Sequence, residues 1–118
     1  MDRLKVIVKA LDDKRASGIK VLDISELSSL SNYFVICSCG SGVQVRAAAD
    51  EVEVKMKELG EPPLHTEGYR HGNWILLDYD DIIVHVMERE TREFYSLEHL
   101  WDDAKEIEIE IDIDEKGE

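Results

Sequence analysis

The chain has 118 residues, 43% of them apolar, with two prolines and a formal net charge of −13. That length fits one domain with a modest core, and that composition excludes a disordered chain. No apolar run approaches the ~20 residues that cross a bilayer. The N-terminal stretch interrupts its apolar residues with charges and lacks a signal-peptide core, so a cytosolic protein is expected. Acidity of this degree argues against direct contact with phosphate backbones and favours basic partners. Residues 106–118 hold seven acids against one lysine, yet the remaining body is acidic as well.

The first element is an amphipathic helix over residues 2–16. Leu4, Ile7, Val8 and Leu11 recur at helical spacing, Asp2 can cap the start, and Lys14, Arg15 and Gly18 suit the end. Residues 20–25 alternate like a strand. Residues 33–38, "YFVICS", are apolar throughout, as a central strand covered on both faces would be. Cys37 and Cys39, the two cysteines present, point to one face of that strand and read as buried reduced thiols.

Ser41 and Gln44 then form an S-x-x-Q capping box. Val45, Ala48, Val52, Met56 and Leu59 mark a helical stripe that Gly60, Pro62 and Pro63 stop. Strand, capped turn and helix together suggest a βαβ-type crossover. Strands near 64–69, 74–79 and 82–87 follow as an antiparallel meander. In that register Trp74, Leu76 and Asp78 face one way, and Ile75, Leu77 and Tyr79 the other. Residues 91–103 place Phe94, Leu97, Leu100 and Trp101 at helical spacing and predict one or two short closing helices. Strict alternation of Ile and acid over 106–114 fits an edge strand, or a segment ordered by a basic partner. The expected architecture is α/β, a mixed sheet of about five strands with two or three packed helices.

Several stretches invite chemistry. "CGSG" (39–42) sits where helix amides attract anions, but lacks the P-loop lysine and the G-x-G-x-x-G spacing. A glycine-serine turn followed by acids resembles a nucleotidyltransferase site. Asp50 and Glu51, however, are adjacent on a helix and diverge by about 100°, so they do not converge on one ion. His65, His71, His85 and His99 show no metal-ligand spacing. His85, within "IIVHVM", is either a core histidine with one hydrogen bond or a polar group in a binding face. No cofactor or metal is expected, and no nucleophile has an identifiable base. Trp, Tyr and Met beside acids also suit an interface, with the acids steering a basic partner and the aromatics holding it.

"NYFVIC", "QVRAAADEV", "EGYRHGNWILLDYDDIIVHVM" and "REFYSLEHLWDDA" occur in the order and spacing of the ribosomal silencing factor (RsfS, or Iojap) family. The resemblance spans residues 4–104 and leaves an acidic tail at 105–118. The chain departs from the family at Asn32, often Asp, and at Asp80, commonly Gly in the "LLDYGD" turn. The resemblance implies a nucleotidyltransferase-like fold without catalytic acids, and a non-enzymatic role. It implies binding to the large-subunit ribosomal protein L-fourteen, a block of subunit joining that represses translation, links to ribosome assembly, and self-association as a homodimer. Carried over by motif, the gripping residues are Trp74, Asp78, Tyr79, His85 and Met87, flanked by Glu67, Tyr69, Arg92 and Tyr95. A nucleotidyltransferase-like enzyme with a cleft near Ser41 and Asp50, and an assembly adaptor acting as a homodimer, are the competing expectations.

Overall fold

A computed structural model describes residues 2–29, 31–96, 99 and 102–110. In chain order the elements are α1 (Asp2–Asp13), β1 (Ser17–Asp23), β2 (Tyr33–Cys39), α2 (Gly42–Glu58), β3 (His65–Glu67), β4 (Trp74–Asp78), β5 (Ile82–Glu88), α3 (Arg89–Tyr95) and β6 (Lys105–Ile107). One mixed sheet runs β3-β4-β5-β2-β1-β6. β2 and β5 are parallel, and the other neighbours are antiparallel. The architecture is mixed α/β, as expected, with six strands rather than five. The sheet extends past residue 104, because β6 pairs Ile107 with Val21 of β1. No helix among the described residues is long and apolar enough to cross a membrane.

The α2 boundary uses the capping pair with one shift: the Gln44 side chain reaches the amide of Gly40, the residue before the N-cap Ser41. Ser41 Oγ accepts from the Gln44 amide at 3.2 Å, and Gln44 Oε1 accepts from the Gly40 amide at 2.7 Å. The Gln44 amide group also donates to the carbonyls of Lys14 and Arg15, which ties the end of α1 to the start of α2. Val45, Ala48, Ala49, Val52 and Met56 are buried along one side of α2. They pack with Leu4, Ile7 and Leu11 of α1 and with Ile75, Leu77, Val84 and Val86 of the sheet. A large aliphatic side chain buried this way contributes about 1.5–3 kcal/mol. Helix α2 is therefore held by packing more than by propensity.

Four elements differ from expectation in their boundaries. Gly18 does not end α1. Arg15 takes the left-handed conformation there, at φ 66°, while Gly18 lies in an irregularity of β1 opposite β2. β1 begins at Ser17, three residues early, because Ser17 pairs with Ser38. β3 is three residues long rather than six. At Gly68, φ is +85° and a Cβ would lie 2.0 Å from the Trp74 carbonyl oxygen, so the backbone turns away there. Helix α3 runs from Arg89 to Tyr95, and its C-cap Ser96, at φ 47°, breaks the helical path. Leu97, Leu100, Trp101, the Asp2 side chain and positions 111–114 lie outside the described residues. Ile107 and Ile109 do pack on the core, as the tail's alternation implies.

Cys37 and Cys39 are free and buried. A hydrogen bond between them, with burial, holds Cys37 well above the usual thiol value. The same bond lowers Cys39.

Candidate protein-docking face

Helices α1 and α2 seal one face of the sheet. Ile75, Leu77, Tyr79, Ile82, Val84 and Val86 point into that layer. On the opposite face a smaller core of Leu22, Ile24, Phe34, Ile36 and Met87 lies against Trp74, Ile83 and Ala104. Helix α3 covers the end of this face nearest Ser38. Trp74, Leu76, Asp78 and Ile83 stay half-buried, so the β4–β5 part carries apolar groups that the described residues leave incompletely covered.

Trp74 is the centre of this area. Its ring lies 5.1 Å from Tyr95, tilted by 49°, and Tyr95 meets Phe94 edge-on at 5.0 Å. Phe94 is 80% exposed. The indole N–H donates to His85 Nδ1 at 3.1 Å, from β4 across to β5. Phe34 packs against the imidazole, 4.7 Å between ring centres. His85 is only 4% exposed, and burial pushes its pKa down to about 4. The ring is thus neutral near pH 7. Because Nδ1 accepts from Trp74, the hydrogen sits on Nε2, which is buried without a hydrogen-bond partner. Of the two expectations for His85, the structure shows the core histidine with one hydrogen bond, and it lies beneath the half-buried Trp74.

The other motif-derived residues separate into two groups. Glu67, Tyr69 and Tyr95 are exposed, and Asp78 is half-buried. Glu67 lines a shallow recess of about 360 Å³ with Gly68, Trp74 and Leu76, and its carboxylate meets His65 Nε2 at 2.6 Å. Asp78 accepts from the Asp80 amide at 2.8 Å. Tyr69 is turned toward α2, where its hydroxyl donates to Asp50 at 3.0 Å, an interaction that raises its pKa. Arg46 stacks over its ring and donates to the carbonyls of Tyr69 and Arg70, clamping the loop before β4.

Tyr79, Met87 and Arg92 are buried. Tyr79 points under α2, where desolvation pushes its phenol well up and leaves the hydroxyl unpartnered. Met87 is fully enclosed in the second core. Arg92 Nη1 donates to the Gly18 carbonyl at 2.7 Å and to Ser38 Oγ at 2.9 Å, which pins α3 to β1 and β2. These three, like His85, shape the face from beneath. Phe94 is absent from the motif-derived set, although it precedes Tyr95 and its apolar side chain stands in solvent. Its helical spacing suggests core, but α3 turns Arg92 inward and leaves Phe94 exposed.

The departure at Asp80 falls on a left-handed residue, φ 77°, in the connection between β4 and β5. The hairpin survives the loss of glycine: Tyr79 N bonds Ile82 O at 2.9 Å. Asp81 beside it is held by Arg3 of α1, whose guanidinium keeps the carboxyl below its usual value. Among the described residues no three His, Cys, Asp or Glu side chains gather as metal ligands.

The ribosomal silencing factor family, described as active during starvation, matches this chain over residues 1–118. The chain is 41% identical over 101 residues to the ribosomal silencing factor of Bacillus subtilis, covering 86% of each chain. It is 37% identical over 107 residues to that of Halalkalibacterium halodurans, covering 91% of this chain and 92% of the relative. A crystal structure of a Chromobacterium violaceum protein superposes with a TM-score of 0.84 at 34% identity, covering 94% and 92%. The chain belongs to the ribosomal silencing factor family.

Proposed function

We propose that this protein silences ribosomes by docking the open β4–β5 face on ribosomal protein L-fourteen of the large subunit, where it excludes the small subunit. It works as a cytoplasmic binding protein without catalysis. Family membership supports a ribosome-associated silencing role. The observation that carries the docking reading is the Trp74–Tyr95–Phe94 aromatic group on a half-open sheet face of a chain with net charge −13. Aromatic anchors hold a partner while surrounding acids speed encounter with a basic one. Trp74, Glu67, Asp78 and Tyr95 make the contacts, with Tyr69 at the rim. His85, Tyr79, Met87 and Arg92 keep that surface in shape.

The test is binding of immobilised L-fourteen to the wild type and to Trp74→Ala. Loss of a central aromatic anchor is expected to weaken binding by about 2 kcal/mol, roughly 30-fold. Wild-type affinity in a folded Trp74→Ala chain would remove Trp74 from the interface. Self-association, which the family resemblance also implies, is read in the same samples by sedimentation.

A further inference from the structure

β3 is an end strand of the sheet and pairs with β4 alone among the described residues, so one side of its backbone meets no strand. Such an edge invites another strand unless proline, lysine or a covering element guards it. Within His65–Glu67 there is neither proline nor lysine. Beside this edge, α2 and the turn after it form a groove of about 470 Å³, lined by Asp50, Glu53, Val54, Lys57, Pro62 and Pro63. Thr66 joins groove and edge, its hydroxyl donating to Glu53 at 3.2 Å. Val54 is 50% exposed, and Leu64, which leads into β3, is 71% exposed. Apolar side chains left in water beside an open edge mark a contact surface. The stretch 50–69 that forms it is described without a gap.

The charge of the groove selects the partner. Asp50 accepts from the Tyr69 hydroxyl and Glu53 from the Thr66 hydroxyl, so neutral donors hold both carboxylates toward β3 and the loop after it. Among the described residues neither has an ion pair, and Lys57 is the one cation in the lining. We propose that an extended basic segment of another protein adds to β3 as a further strand. Its lysine or arginine side chains meet Asp50 and Glu53, and an apolar side chain rests on Val54, Pro62 and Pro63. Alternate residues of a strand share a face about 6.5–7 Å apart, and helix positions three apart lie about 5–6 Å apart. Two alternate basic side chains therefore reach both carboxylates. Main-chain pairing supplies affinity and the alternate side chains selectivity, while the acids favour a basic segment over an acidic one. A second copy of the chain fits this edge less well, because its charge of −13 opposes the approach. The inference rests on α2 and β3 alone and is independent of the docking reading.

Fluorescence polarisation of the full chain with a labelled peptide of alternating lysine and valine tests it. One variant joins Asp50→Asn to Glu53→Gln, which keeps the acceptor oxygens for Tyr69 and Thr66. A second joins Glu106→Gln to Glu108→Gln, an equal change of charge at the opposite edge of the sheet, and circular dichroism checks the folding of both. Saturable binding weakened ~10-fold or more in the first variant, and less than ~2-fold in the second, is the expected result. A peptide with methylated backbone amides, unable to pair as a strand, should lose saturable binding. No saturable binding of the unmethylated peptide, equal weakening in both variants, or undiminished binding of the methylated peptide overturns the proposal. Sedimentation that finds a dimer dissociating in the first variant alone would give the edge to a second copy and overturn it as well.

Discussion

His85→Phe separates stability from docking. In the wild type the imidazole accepts from Trp74 through Nδ1 and buries Nε2–H without a partner. Phenylalanine keeps the aromatic contact with Phe34 but removes both nitrogens. Losing one neutral hydrogen bond costs about 1 kcal/mol, while removing an orphaned buried donor returns about 1–3 kcal/mol. At pH 7.5 the variant is expected to equal or exceed the wild type by about 1 kcal/mol in urea denaturation. The acid limb gives a second, sharper reading. Folded His85 titrates near 4 and the unfolded residue near 6.5. Unfolding therefore takes up a proton as pH falls from 6.5 to 4, and stability from this group, complete above 6.5, declines across that window. The shift amounts to something on the order of 3 kcal/mol. The imidazole meets Trp74 and Phe34 and has no ion pair among the described residues, so no charged neighbour shares this titration. Protonation of the many carboxylates relieves repulsion over the same range, so the quantity to measure is the wild-type minus variant difference against pH. That difference should fall by about 3 kcal/mol between pH 6.5 and 4. A difference that stays flat, or a variant weaker by about 2 kcal/mol or more at pH 7.5, would show that Nε2 has a partner and refute the reasoning.

Asp80→Gly should stabilise the chain by about 0.5–1 kcal/mol, since φ 77° strains an L side chain and leaves glycine unstrained; thermal melting reads it, and a lower melting temperature contradicts it. Gly18→Ala should cost about 2 kcal/mol or more. Its φ is +59° and the new Cβ would lie 2.9 Å from Arg92 Nη1, so both the bulge and the α3 tether yield; urea unfolding measures the loss. Arg3→Ala should cost less than about 1 kcal/mol, because its pairs with Asp81 and Glu61 are about one-third exposed; a larger loss in the same assay would mean that α1 depends on them.

Local chemistry made much of this fold legible. The S-x-x-Q box at Ser41 and Gln44 marked the start of α2 to the residue, because a cap is satisfied by neighbours in sequence. Period-two alternation assigned Ile75, Leu77 and Tyr79 to one face and Trp74, Leu76 and Asp78 to the other. Features that depend on distant strands were not readable. Gly18 looked like a helix stop because its real constraint, Arg92, is 74 residues away. The Ile and acid alternation did point to an edge strand at β6, but its partner, β1 near the opposite end of the chain, was not readable. The docking candidates mixed surface and core for the same reason. A motif names Tyr79 and Met87 as readily as Trp74, and only the packing of α2 and the second core shows which side chains are enclosed.

Light scattering of purified small and large ribosomal subunits, mixed with and without the protein, tests the central proposal most directly. Stoichiometric wild-type protein is expected to suppress the rise in scattering that accompanies joining, and Trp74→Ala to restore it. Joining that proceeds unchanged at saturating wild-type protein would contradict steric silencing by this face.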